Sequence, residues 1–228
     1  MSASERQAHE LARGASLVPV WLKDAGRGVL APVVRLAMAL HLTPNTITVI
    51  GLAIVLGAAI LVAQGALLLG AAILTAGSLL DAVDGALARA RGGGTAFGGF
   101  LDSTLDRAAE AILYAGIAGY FLTKAPEHTW PVLIAMVALT ASFLVSYSRA
   151  RAEGIGLSAA VGLAPRTERL VLVIAGVALA GLGFEPGLIG AMTIIAILSL
   201  ATVFQRIWHV WRLTADVDTT AEENAQRG

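Results

Sequence analysis

Six long apolar stretches set what this chain can become: about Thr46–Val62, Ala66–Leu80, Ala108–Leu122, Trp130–Val145, Leu170–Leu182 and Leu188–Val203. Inside hydrocarbon there is no water to satisfy backbone N–H and C=O groups, so such runs must close their hydrogen bonds internally, as helices. Several fall short of the ~20 residues that cross a bilayer core. Each nevertheless extends through helix-compatible flanks, the second through Ala88, the third from near Asp102 and the fifth from near Arg166. The expectation is an all-α membrane protein with six transmembrane helices. Composition agrees: 57% of the residues are hydrophobic and 14% charged, where a soluble domain carries about a quarter charged.

Sixteen basic and sixteen acidic side chains cancel, and nothing marks the chain as a nucleic-acid binder. There is no cysteine, which excludes disulfides, thiol catalysis and zinc–thiolate sites and leaves oxygen or imidazole to hold any metal. Charges recur through the first forty residues, from Glu5 to Arg35, with no compact apolar core and small-residue cleavage site. The amino terminus therefore reads as retained. The turns Gln64-Gly65, Lys124 to Thr129 and Gly183 to Gly187 alternate with longer charged connections at Arg89 to Asp106 and Arg149 to Arg169. If the turns share one side, fifteen of the sixteen basic residues, all but Lys124, fall on the other. The positive-inside tendency makes that side and both termini cytoplasmic in a multi-pass plasma-membrane protein.

The expected organisation is a polar segment at 1–16, a juxtamembrane amphipathic helix at 17–41 lying in the interface, the six-helix domain at 42–212 and a disordered tail at 213–228. Trp21, Leu22, Val29, Leu30, Val33, Val34 and Leu36 interleaved with Lys23, Arg27 and Arg35 give the second segment its two faces,. Leu42-Thr43-Pro44-Asn45 reads as a turn into the first span, with Thr43 or Asn45 as its cap,. Gly116, Gly119, Gly176 and Gly181 read as helix-packing contacts,. His9, His41, His128 and His209 are scattered and show no ligand spacing.

The chemistry is concentrated in one run. Asp81 and Asp84 stand three apart and Asp102 and Asp106 four apart, so on helices each pair shares a face. Four carboxylates converging at membrane depth would repel one another and be costly unless hydrated, paired or bound to metal. A divalent cation, or two, relieves both problems. All-oxygen ligation suits magnesium, manganese or calcium rather than zinc, and diphosphate chemistry makes magnesium the first choice. Gly85, Ala86, Ala88 and Ala90 leave a helix surface that a base or diphosphate can approach closely,. Gly92-Gly93-Gly94 permits a tight reversal, Thr95 offers a hydroxyl at the turn, and Arg89 can neutralise phosphate,. The plainer alternative is that the carboxylates only pair with Arg89, Arg91 and Arg107 in a cytoplasmic loop.

This run resembles the CDP-alcohol phosphotransferase family, whose signature D-x2-D-G-x2-A-R-x8-G-x3-D-x3-D is met at all eight fixed positions from Asp81 to Asp106. The resemblance implies a magnesium-dependent displacement, with manganese able to substitute, in which an acceptor hydroxyl attacks the phosphate of a CDP-linked lipid and CMP leaves. It also implies that Asp81, Asp84, Asp102 and Asp106 bind metal, with Asp106 in addition the general base, and that Gly85, Arg89 and Thr95 contact the CDP moiety. Pro44-Asn45-Thr46-Ile47-Thr48 resembles the start of the family's first span and places Asn45 and Thr48 beside the nucleotide, although a plain turn and cap explains it equally. Membership implies a homodimer, with the third and fourth spans at its interface.

The signature leaves the acceptor open. Ser146 to Glu153, Glu168-Arg169 and Gln205-Arg206 look like the corresponding stretches of phosphatidylinositol phosphate synthases and archaetidylinositol phosphate synthases. That likeness implies inositol phosphate as acceptor, its phosphate held by Arg149, Arg166 and Arg206. Arg149 stands where the bacterial pattern often has lysine, which alters the geometry offered to phosphate. From charge alone, anchoring to anionic head groups of membrane lipid competes with phosphate binding as a reading of these arginines. The donor tails, acyl or isoprenoid, are not fixed. Glycerol 3-phosphate is the runner-up acceptor, followed by free inositol or serine. A cation transporter with intramembrane aspartates is the alternative from another class. It is disfavoured because none of the four signature aspartates lies in the other four spans.

Overall fold

The computed structural model describes residues 38–90, 93–124, 129–163 and 165–227, with side chains described except at 81–86, 88–90 and from 216 onward. The segment 1–16 and the expected interfacial helix at 17–41, apart from its last few residues, lie outside the described residues. Among the described residues the fold is all-helical. Six long helices follow the six apolar stretches: α1 (Pro44–Ala63), α2 (Leu67–Ala90), α3 (Ala96–Lys124), α4 (Trp130–Glu153), α5 (Arg166–Gly181) and α6 (Glu185–Arg227).

Their starts and stops have local causes. Thr43 is extended, and its hydroxyl accepts the Thr46 N–H at 3.2 Å, while Pro44 occupies the first turn, where a missing N–H costs nothing,. Gly65, at φ 85°, makes the left-handed turn between α1 and α2,. The turn expected at Gly183 to Gly187 is shorter than expected, because α6 already begins at Glu185. At the other end α6 does not stop where the sequence turns polar; its backbone stays helical to Arg227 through the stretch expected to be disordered. Extending an existing helix needs no new nucleus, and Ala221, Glu222, Glu223, Ala225 and Gln226 are good helix formers,.

Three of the described helices are long and apolar enough to cross a membrane: α1, α4 and α6 over Glu185–Ala215. The others differ for visible reasons. In α2 the apolar portion is Leu67–Leu80, ahead of Asp81. Asp102, Asp106, Arg107 and Glu110 crowd the first half of α3, and α5 has only 16 residues. Large apolar side chains such as Val49, Ile60, Leu133, Val137, Ile197 and Phe204 face outward, as expected where lipid is the solvent.

Helix α1 packs on α2 and α3, α4 on α3 and α6, and α5 on α2 and α6. Tyr114, Ile117, Phe121, Leu74, Val177, Leu188, Met192 and Ile195 are buried at the centre. Lipid tails are as apolar as these side chains, so close fit rather than exclusion of water holds such helices together. The four glycines expected at packing contacts are found there. A Cβ on Gly116 would stand 2.5 Å from the Ala59 carbonyl oxygen, on Gly119 3.3 Å from Ala63 Cβ, on Gly176 2.7 Å from Ala191 Cβ, and on Gly181 2.8 Å from Leu68 Cγ. Across the same end of the bundle the Tyr120 hydroxyl donates to Glu185 Oε2 at 2.9 Å.

Candidate active site

The short connection 91–95 joins the last turns of α2 to the first turns of α3, and up-and-down helix order brings the end of α4, the start of α5 and the region of Arg206 on α6 to the same end of the bundle. There α1, α2, α3 and α5 line an open cavity. Its deeper wall is apolar, from Leu52, Val55, Leu74, Leu113 and Val173 among others, and its polar side carries Thr48, Asp106, Glu110, Arg166 and Arg169.

Asp106 is held in place by charge. Its Oδ1 lies 2.6 Å from Arg166 Nη2, and its Oδ2 3.5 Å from Arg107 Nη2. One helical turn further along α3, Glu110 Oε1 accepts from Arg169 Nε at 3.1 Å. This second pair is nearly sealed, with side-chain exposures of 3% for Arg169 and 10% for Glu110. Asp102 lies one turn before Asp106 on the same face of α3,.

The expected CDP contacts fall into two groups. Thr95 caps α3, its hydroxyl accepting the Gly98 N–H at 3.0 Å. The hydroxyl proton remains available to donate elsewhere. A Cβ built on Gly98 would lie 3.1 Å from both Asn45 Oδ1 and Thr95 Oγ1, so the start of α1 and the start of α3 meet at these residues, and the missing side chain is what lets them. Thr48 lines the cavity and donates to the Pro44 carbonyl at 3.1 Å. Gly85 and Arg89 lie on the last turns of α2 with Asp81 and Asp84, and the side chains of this group lie outside the described residues.

Among the described residues no three acidic or imidazole side chains converge; half of the expected metal ligands, Asp81 and Asp84, are not among those side chains. The donor set itself fits a hard cation. It consists of carboxylates alone, at helical spacings of three and four, on two successive helices that both pack on α1,.

The three arginines expected at the acceptor phosphate have different neighbours. Arg166 turns to Asp106. Arg206, 9% exposed, has Arg149 and Arg169 as its cationic neighbours, with Glu153 nearby. Arg149 also pairs with Glu153 at 2.8 Å. Arg206 donates from Nε to the Val161 carbonyl at 2.9 Å and from Nη1 to the Val145 carbonyl. It thereby ties the α4–α5 connection to α4 and α6. Thr202 adds a second tie by accepting the Leu163 N–H at 3.1 Å. Gly162, at φ 145°, lies so close to Thr202 that no side chain would fit. Sequence reading named Arg169 only within the Glu168-Arg169 stretch, without a role, and did not name Glu110. Both are charged residues one turn beyond a flagged one, Arg166 and Asp106 respectively, and that spacing was the available signal.

A family model described as CDP-alcohol phosphatidyltransferase matches residues 41–211. The archaetidylinositol phosphate synthase of Methanothermobacter thermautotrophicus is 40% identical over 187 residues, 79% of this chain and 92% of that one. The phosphatidylinositol phosphate synthase of Mycobacterium tuberculosis is 34% identical over 211 residues, covering 90% and 96% of the two chains. Crystal structures of the M. tuberculosis synthase match at 33% identity. The one with CDP-DAG bound has a TM-score of 0.74 over 80% of this chain and 94% of that one. The one in complex with manganese and citrate has a TM-score of 0.73 over 80% and 88%.

Proposed function

This chain belongs to the CDP-alcohol phosphatidyltransferase family, and we propose on that footing that it transfers a phosphatidyl-type group from CDP-diacylglycerol or its archaeal counterpart to inositol phosphate, releasing CMP. The observation that carries this reading is the meeting of the signature's last aspartate with a cluster of arginines at one cavity. Asp106 opens on it beside Arg166 and Arg169, and Arg206 has Arg169 and Arg149 as its cationic neighbours. Like charges gathered at a partly buried site need an anion, and guanidinium forks fit phosphate oxygens. A phosphorylated acceptor would bring this cluster a further anion beside the carboxylates of Asp106, Glu110 and Glu153 that it already meets.

Asp81, Asp84, Asp102 and Asp106 are the residues to hold magnesium or manganese, which would offset the charge of the diphosphate and of the departing CMP. Asn45, Thr48, Gly85, Arg89 and Thr95 line the approach for the CDP moiety. Asp106, within reach of the acceptor side, takes the proton of the attacking hydroxyl. Arg149, Arg169 and Arg206 orient the acceptor phosphate, and Arg166 holds Asp106 against the α5 side of the cavity. Six spans, with α2, α3 and α5 completed by their flanks, put the cavity and both termini on the cytoplasmic side of the plasma membrane. The amphipathic segment before Thr43 lies along the interface, and two copies meet through α3 and α4.

The experiment is an acceptor panel with labelled CDP-diacylglycerol and magnesium. Inositol phosphate should release CMP at least about tenfold faster than glycerol 3-phosphate, inositol or serine, and EDTA should stop the reaction. Faster release with glycerol 3-phosphate would replace the acceptor assignment. No release with any acceptor, alongside cation flux into vesicles, would replace the enzyme with a transporter.

A further inference from the structure

Two ion pairs stack between α3 and α5 like rungs: Asp106 with Arg166, and one turn deeper Glu110 with Arg169. The first belongs to the chemistry just described. The second is not required by it and is the more costly of the two. Glu110 Oε2 is buried and makes no hydrogen bond among the described residues, so Arg169 offsets much of the charge through Oε1 alone. A half-satisfied buried carboxylate is costly, and two apolar side chains would join α3 to α5 at less expense. The pair therefore calls for a role beyond holding helices together.

The geometry of the contact supplies one. Arginine offers five N–H donors in a rigid plane, so fixing one of them fixes the direction of the rest. Glu110 takes the Nε edge. Arg169 lines the cavity and neighbours Arg206, whose own Nε and Nη1 are engaged with main-chain carbonyls. We propose that Glu110 is a positioning residue for the phosphorylated acceptor: by gripping Arg169 at Nε it sets the plane of that guanidinium, so that the Nη edge is presented to the acceptor phosphate. The proposal rests on the acceptor reading given above. Glu110 touches neither substrate and acts through Arg169.

The test is steady-state kinetics on the full chain with CDP-diacylglycerol, magnesium and inositol phosphate, comparing wild type with E110A, E110Q and E110D, alongside melting temperatures. E110A should raise the acceptor KM roughly tenfold or more while leaving the donor KM and kcat within about twofold. E110Q keeps an oxygen for Nε and should hold the acceptor KM within about threefold. E110D, whose carboxylate falls short by one methylene, should behave like E110A and serves in its place if E110A does not fold. A role confined to stapling helices predicts a lower melting temperature in all three with an unchanged acceptor KM; that result, or parallel rises in both KM values, overturns the proposal. A wild type that turns over only unphosphorylated alcohols fails at the earlier step, before any variant is compared, and takes the proposal with it.

Discussion

The two halves of α3 are built on opposite rules. Its first half, Ala96 to Glu110, carries Asp102, Asp106, Arg107 and Glu110, faces a cavity and is held by arginines. Its second half buries Leu113, Tyr114, Gly116, Ile117, Ala118 and Phe121, and approaches α1 so closely that Gly116 meets the Ala59 backbone. One half spends stability on poised charge and the other supplies rigidity. Because both lie on one helix, the close fit at the far end fixes where the carboxylates stand at the near end, which is what a preorganised site needs.

Substitutions can break this division at either half. The largest effect should come from Asp106→Asn, which keeps the shape but not the charge. Turnover should fall by about a thousandfold or more, while binding of CDP-diacylglycerol, measured by calorimetry in detergent, stays largely intact. Equal loss of donor binding would remove its separate role as base. Next is Gly116→Val, which forces a side chain against the Ala59 carbonyl. It should cost about 3 kcal/mol, read as a lower melting temperature with normal KM values in the surviving folded fraction. Arg206→Ala should raise the acceptor KM roughly tenfold, and should speed hydrogen exchange over 157–163 by releasing the Val161 carbonyl. The smallest effect belongs to Leu122→Ala. That side chain is 56% exposed on the outward face of the second half, and its loss should change stability by under about 0.5 kcal/mol.

Hydropathy made the six helices legible because the apolar stretches are bounded by turn residues or charges whose effect is local, such as Thr43 with Pro44, Gly65, Asp81 and Arg149. The extension of α6 was not legible, since polarity shows that a segment is not buried and leaves open whether a helix already under way continues through it. At the site, the aspartate signature is a matter of spacing along the chain and could be read. The partners were another matter. That Arg166 would face Asp106 and Arg169 face Glu110 depends on α3 and α5 lining the same cavity, a tertiary fact that no spacing carries. Thr95 shows the same limit at closer range. Its hydroxyl was marked for a ligand, and it also caps α3 through Gly98, a use that only the position of the helix start reveals.

The α4–α5 connection is fastened to α6 at two points, by Arg206 reaching Val161 and by Thr202 meeting Leu163 and Gly162. Evolution and protein engineers alike must therefore treat residues 157–163 and 199–206 as one cassette. Transplanting the loop alone from a relative with a different substrate preference would leave the donor's anchors behind, whereas moving both segments together carries the clasp intact.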